Sequence, residues 1–325
     1  MKKILVYLLI AQFINVAASF AENVNLLSPR WWHNAKLEDV DKVISPNTDV
    51  NMRSKDGMTM LMLASMTNKN PEMVAKLIHL GASINAQTRE GMTALMGAAA
   101  MNPNPEVIKY LLKFGANLEA TDRDGDTALM YAVAENENPM ILYQLLEAGA
   151  NMKVQDNKRQ TPILIASELA KNPDIITFLI KYGADINAVD EDGISILMHA
   201  CARNKNIAVI KAIVQNGANI NYKTEADENV LMIAAAETKD IEVIKYLLDL
   251  GIDVNAQDNT GKTALTKACQ NNLSPDIIKL LLEKGADATI KDKNGKMALD
   301  YARENIKIYQ TTVYQTLKMA TNRKK

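Results

Sequence analysis

The stretch DGDTALMYAVAENENPMILYQLLEAGA, residues 124–150, decides the fold. Gly125 punctuates a turn, and Leu129 and Ala132 follow it at i and i+3 spacing, on one face of a short helix. Asn138 and Pro139 then form a helix start, a capping side chain followed by a residue with no N–H to satisfy. Leu142, Leu145 and Leu146 repeat at i, i+3, i+4, which makes one apolar face of a second helix. Gly149 stands where a helix ends in a left-handed residue. The stretch therefore predicts helix, turn, helix.

The same design recurs along the chain. DGMTMLMLAS, EGMTALMGAA, DGISILMHAC, TGKTALTKAC and NGKMALDYAR repeat the opening segment, with tip glycines Gly57, Gly91, Gly125, Gly193, Gly261 and Gly295 spaced by 34 or 68 residues. Arg159 and Asp227 occupy the two skipped slots. Seven residues after each tip stands alanine in all eight units, Ala64 through Ala302. A slot restricted to alanine marks where helices of adjacent units approach too closely for a larger side chain. Asn70, Asn104, Asn138, Asn172, Asn206, Asp240 and Ser274 are N-caps of the second helices, and Gly81, Gly115, Gly149, Gly183, Gly217, Gly251 and Gly285 end them. A single such pair of helices cannot bury its apolar face, so stacking into an all-α repeat solenoid follows.

The pattern D-x-x-G-x-T-A-L-M-x-A, then N-P-x-x-I-x-x-L-L-x-x-G-A-x-I-N-A, closely resembles the ankyrin repeat over about residues 28 to 325. It departs from the common form in its 34-residue length, in Asn-Pro where Gly-His is usual, and in Met62, Met96, Met130, Met198 and Met232 at the family's histidine position. The methionine variant resembles bacterial ankyrin sequences. The resemblance implies helix-turn-helix units joined by β-hairpin fingers, with fingers and first helices lining a concave face. One domain is expected over 22–325: a degenerate first unit at 28–52, repeats at 53–86, 87–120, 121–154, 155–188, 189–222, 223–256 and 257–290, and a closing unit at 291–325. Trp31 and Trp32 are expected to cover one end of the stack. The Gln-, Thr- and Lys-rich last helix faces water at the other.

Residues 1–21 read as a signal peptide. Lys2 and Lys3 precede an apolar run that ends in Ser19-Phe20-Ala21, a small-x-small cleavage site. The run is interrupted by Gln12 and Asn15 and falls short of the ~20 residues a span needs, so no stable membrane insertion is expected after cleavage. The chain is thus read as exported, periplasmic or secreted. Cleavage would leave 35 basic against 38 acidic residues, which exerts no pull on nucleic acid.

Candidate chemistry gives way to the repeat. DRDGD, Asp122–Asp126, begins as a calcium loop can, but such a loop needs glycine sixth and an acid twelfth; glycine comes fourth and Val133 twelfth. Cys201 and Cys269 lie two units apart, roughly 16–20 Å by helix spacing, too far for a disulfide. TGKT, residues 260–263, lacks the second glycine of a phosphate loop, with Ala256 in its place. Met58, Met60, Met62 and Met66 could suggest copper, yet Met62 belongs to a row repeated every 34 residues. His33, His79 and His199 fall in different units. No catalytic residue, metal site or cofactor is expected.

What varies between units is the finger tip and the residue six positions after it: Leu63, Gly97, Tyr131, Ile165, His199, Ile233, Lys267 and Tyr301. The expected function is a monomeric protein-binding scaffold, with contact at Arg89, Glu90, Arg123, Asp124, Tyr131, Lys158, Glu191, Asp192 and His199. The alternatives are a periplasmic metal- or small-ligand-binding accessory protein and a secreted effector acting on host proteins.

Overall fold

The structure, a computed structural model, describes residues 25–271 and 274–322. The predicted signal peptide, 1–21, lies outside them. The chain divides between Pro162 and Ile163 into two compact units.

The first unit carries α1 (Pro29–Asn34), α2 (Leu37–Val43), α3 (Met60–Thr67), α4 (Pro71–His79), α5 (Ala94–Met101), α6 (Pro105–Lys113), α7 (Ala128–Glu135) and α8 (Pro139–Glu147). First helices pack in the order α1, α3, α5, α7 and second helices in the order α2, α4, α6, α8. The second unit carries α9 (Pro162–Leu169, less its first residue), α10 (Asp174–Lys181), α11 (Ile196–Arg203), α12 (Ile207–Gln215), α13 (Val230–Glu237), α14 (Ile241–Asp249), α15 (Ala264–Asn271), α16 (Pro275–Glu283), α17 (Ala298–Glu304), α18 (Ile306–Tyr309) and α19 (Thr312–Asn322). There α11, α13, α15 and α17 stack as one row and α10 against α12, then α14 against α16, as the other. Each unit is the repeat stack that the 34-residue period predicts.

The two helix types are apolar in different ways. First helices such as ALMGAAAM in α5 are buried nearly all round, because a neighbour flanks them on each side. The eight repeated alanines are all buried, each at 1% exposure or less. Gly97 goes further: a Cβ there would stand 2.6 Å from Met66 Cγ, so the missing side chain is the space that Met66 fills. Second helices bury one face only, as α6 does with Val107, Ile108 and Leu111. Asn70, Asn104, Asn138, Asn206 and Asp240 cap them as expected, and Thr59, Thr93, Thr127, Ser195 and Asn229 cap the first helices.

A ladder of asparagines locks successive repeats. Asn68 Nδ2 donates back to the carbonyls of Trp32 and Ala35, Asn102 to Ser65 and Asn68, and Asn136 to Ala99 and Asn102. In the second unit Asn204 donates to Ser167 and Ala170. These amides satisfy helix-end carbonyls that no backbone N–H reaches.

The hairpin fingers implied by the resemblance are smaller than hairpins. Each is a tight turn closed by two backbone bonds, as in Asp122 N–H to Asp126 O and Gly125 N–H to Asp122 O. Among the described residues only Val189 with Ser195 and Lys291 with Met297 form β-bridges. At the chain start Trp32 is fully buried and donates Nε1–H to Leu26 O at 2.7 Å, while Trp31 meets it edge-on. At the chain end the second helix is broken into α18 and α19, and Val313, Tyr314 and Leu317 close the core.

Candidate functional site

The finger is the variable part, and its geometry follows from three positions. Three residues before the tip stands a short polar side chain that caps the turn. Asp122 Oδ1 accepts from the N–H groups of Asp124 and Asp126; Asp156, Asp190, Asp258 and Asp292 do the same in their own fingers. Ser54, Thr88 and Thr224 replace the carboxylate with a hydroxyl. Short acids suit turns because they bond their own backbone two residues on.

The two residues before the tip use their backbone to pair with the neighbouring finger. Arg89 N–H donates to Asp56 O, Arg123 N–H to Glu90 O and Asn157 N–H to Asp124 O, at 2.9–3.2 Å. In the second unit Asn259 pairs with Ala226 and Lys293 with Thr260 in the same way. The contact is close: a Cβ on Gly91 would meet Asp122 Cα at 2.8 Å. With the backbone engaged, the side chains point away. Arg89, Glu90, Arg123, Asp124 and Lys158 are all exposed in the first unit, as are Glu191 and Asp192 in the second. Arg123 and Glu90 form an ion pair at 3.3 Å, solvated enough to contribute little.

Tyr131 and His199, six residues after their tips, are placed differently from these. Tyr131 is half-buried and donates its hydroxyl to Asp122 Oδ2 at 2.7 Å. His199 is only 6% exposed, with Nε2 2.7 Å from Asp190 Oδ2 and Nδ1 2.7 Å from Glu168 Oε1. Lys267 reaches Asp258 Oδ2 at 2.8 Å and also Glu228, and Tyr301 donates to Asp292 Oδ2 at 2.6 Å. So the four polar members of the row turn inward onto the finger's own aspartate and clasp it. Both oxygens of that aspartate are then in use, one by the turn and one by the clasp.

Electrostatics follow burial and partner. Burial and the bond to Asp122 push the Tyr131 phenol well above its ordinary range. Tyr301, by burial and then by Asp292, is pushed up to about 12. Burial would lower the Lys267 ammonium, but Asp258 and Glu228 outweigh it and hold it up. His199 obeys the same balance: burial disfavours its charge, while Glu168 and Asp190 favour it more, so its pKa is raised. Arg203 bridges Glu168 at 2.9 Å and Glu237 at 3.4 Å.

The clasps were legible but unread. Where the row residue is Tyr131, His199, Lys267 or Tyr301, the capping residue nine positions earlier is always aspartate. Where it is Leu63, Gly97 or Ile233, that residue is Ser54, Thr88 or Thr224; only Asp156 stands opposite an apolar Ile165.

Elsewhere little suggests chemistry. Cys201 and Cys269 are free, buried thiols whose pKa burial raises far above the ordinary range. Among the described residues no group of three His, Cys, Asp or Glu is arranged to hold a metal ion, and no helix is long and apolar enough to cross a membrane. A cavity of about 40 Å³ lies beside Tyr222, Ser195 and Leu197, the size of a water rather than of a metabolite.

A family model for ankyrin repeats matches the chain in three copies, over residues 61–156, 132–224 and 231–317. No curated protein matches it at a significant level.

Proposed function

The chain belongs to the ankyrin-repeat family, whose repeats mediate protein–protein interaction, and on that premise we propose that it is an exported, non-enzymatic scaffold that binds a protein partner through its finger tips. The observation that carries this reading is the first unit's row of tips. Arg89, Glu90, Arg123, Asp124 and Lys158 present mixed charge from a backbone that is hydrogen-bonded finger to finger. Charges held at fixed spacing on a rigid base lose little entropy on binding and set specificity and encounter rate. Mixed signs and a net charge of −1 fit a protein surface better than a polyanion. In the second unit Glu191 and Asp192 are the corresponding tip residues, with His199 behind them. The face of fingers and first helices is the binding face, and the scaffold works as a monomer.

Export rests on Lys2, Lys3, the apolar run after them and Ser19-Phe20-Ala21. Expressed with its leader in a bacterial host, the chain should appear outside the cytoplasm with Glu22 at its N-terminus; a full-length cytoplasmic product would refute export.

The binding test is affinity capture with the mature chain from extracts of the native organism. The captured partner is then titrated against the double charge reversal Arg123→Glu, Asp124→Lys. Partner affinity should fall at least tenfold, and a reversal on a second helix, Lys109→Glu, should leave it unchanged. Equal affinities for all three proteins would overturn the assignment of the fingers.

A further inference from the structure

We propose that the finger at residues 188–195 is held closed by a proton on His199 and loosens when that proton leaves. Three features of this finger differ from those of its neighbours.

The first is the clasp. Both ring nitrogens of His199 face carboxylate oxygens at 2.7 Å, Glu168 from α9 and Asp190 from the finger. Only the imidazolium donates from both nitrogens; a neutral ring donates once and turns a lone pair toward the other carboxylate. Among the described residues, Arg203 on its own helix bonds Glu168, and Glu237 on α13 bonds Arg203. Three carboxylates thus face one permanent cation, and the proton on His199 is the second. Burial works against that charge but the carboxylates prevail, so the imidazolium persists above the ordinary histidine range.

The second feature is the arm that yields. Glu168 stands near the end of a helix, keeps Arg203, and its side chain is 14% exposed. Asp190 sits on the turn and is 23% exposed, so water reaches the oxygen that His199 vacates. Asp190 therefore gives way at lower cost.

The third is the seam on the far side of the finger. The finger ladder would run from Glu225 N–H to Asp192 O, and among the described residues that bond is missing. Instead Tyr222 donates its hydroxyl to Gly193 O at 2.9 Å, and a Cβ on Gly193 would meet only that hydroxyl, at 3.7 Å. In the fingers closed by Tyr131, Tyr301 and Lys267 the donor keeps its proton at neutral pH. Only at His199 does a clasp of this row depend on an imidazole, the side chain whose ordinary titration lies near neutral pH.

The sign is fixed. A raised histidine pKa contributes stability in full below the unfolded value of about 6.5, and that contribution is lost as pH rises through the folded value. The finger is closed in mildly acid solution and loosened in alkaline solution. Presentation of Glu191 and Asp192 to a partner would change with it. That consequence rests on the reading of the fingers as contacts; the clasp does not, and it is measured without a partner.

The test is hydrogen exchange on the mature chain, corrected for intrinsic rates, between pH 6 and pH 9, with the His199 ring followed by NMR. Protection at Asp192 and Ile194 should fall about tenfold or more, the scale of one charge-assisted hydrogen bond. Asp124 and Asp126, in the Tyr131-clasped finger, should change less than twofold. In His199→Tyr, which installs the neutral donor found at Tyr131, the pH dependence at Asp192 and Ile194 should vanish. Uniform change in both fingers, survival of the dependence in His199→Tyr, or a wild-type ring titrating at or below the ordinary value would each overturn the proposal.

Discussion

Asn102 donates both hydrogens of its amide backward, to Ser65 O at 2.8 Å and Asn68 O at 2.7 Å. The same side chain accepts from Asn104 N–H at 2.9 Å, so one fully buried residue ends a helix, starts the next and locks the preceding repeat. Asn102→Ala strands two buried carbonyls and one N–H. At 1–3 kcal/mol per unsatisfied group, partly offset by relaxation, the loss should be about 3 kcal/mol. Chemical denaturation of the mature chain measures it. A loss below about 1 kcal/mol would mean that water replaces the amide.

The tip positions offer changes of both signs. Arg159 and Asp227 hold φ of 58° and 60°, the left-handed region where every other tip carries glycine. A side chain there costs about 1–2 kcal/mol, so Arg159→Gly and Asp227→Gly should each stabilise by up to about 1 kcal/mol after the entropy that glycine adds to the unfolded chain. Gly91→Ala should do the reverse and more, because strain at φ +86° combines with a Cβ 2.8 Å from Asp122 Cα. Thermal melts of the three variants should rank in that order around wild type.

The fold was legible because stacking repeats its demands. Ala64 through Ala302, the Asn, Asp or Ser that starts each second helix from Asn70 to Ser274, and the ending glycines each report one steric or hydrogen-bonding need, printed eight or seven times over. A single copy would be ambiguous. The candidate surface was legible in part: the tip pairs are exposed, as their charge suggested. The residues six positions after the tips were harder. Spacing places Tyr131 and His199 on the correct helix face, but the direction of a side chain depends on which acceptor lies within reach. That acceptor, the capping aspartate nine residues earlier, matters only once the turn has folded back over the helix. The inter-repeat asparagines Asn68, Asn102 and Asn136 also escaped reading, because a buried amide and a solvated loop amide look alike in sequence.

Lys267 gives a prediction in acid. Burial would raise the pKa of Asp258, but the Lys267 ammonium, the Thr260 hydroxyl and the backbone N–H groups of Lys262 and Thr260 outweigh it and hold it below the ordinary range. A depressed carboxylate contributes stability above its unfolded value, and that contribution disappears as pH falls through the folded one, here below about pH 4. Lys267→Met leaves the buried Asp258 and the nearby Glu228 without their cation, for a loss of about 3 kcal/mol at neutral pH. Because the variant's carboxylates gain from protonation, its deficit should shrink on acidification from pH 7 to 4. A deficit that grew over that range would contradict the clasp.

Tyr131 and Asp122 answer how much a neutral clasp contributes. Tyr131→Phe removes a hydroxyl from Asp122 Oδ2 and leaves Oδ1 bonded to two backbone N–H groups, so the turn survives. Asp122 is only half-buried and water can take the vacated site, which sets the loss at about 1 kcal/mol. Asp122→Ala forfeits the two turn bonds as well and should cost about 2–3 kcal/mol. In the double variant the tyrosine hydroxyl has no acceptor left to lose, so the two effects should fall short of additivity by about 1 kcal/mol. Strict additivity in a denaturation cycle would show that Tyr131 stabilises its repeat by packing alone.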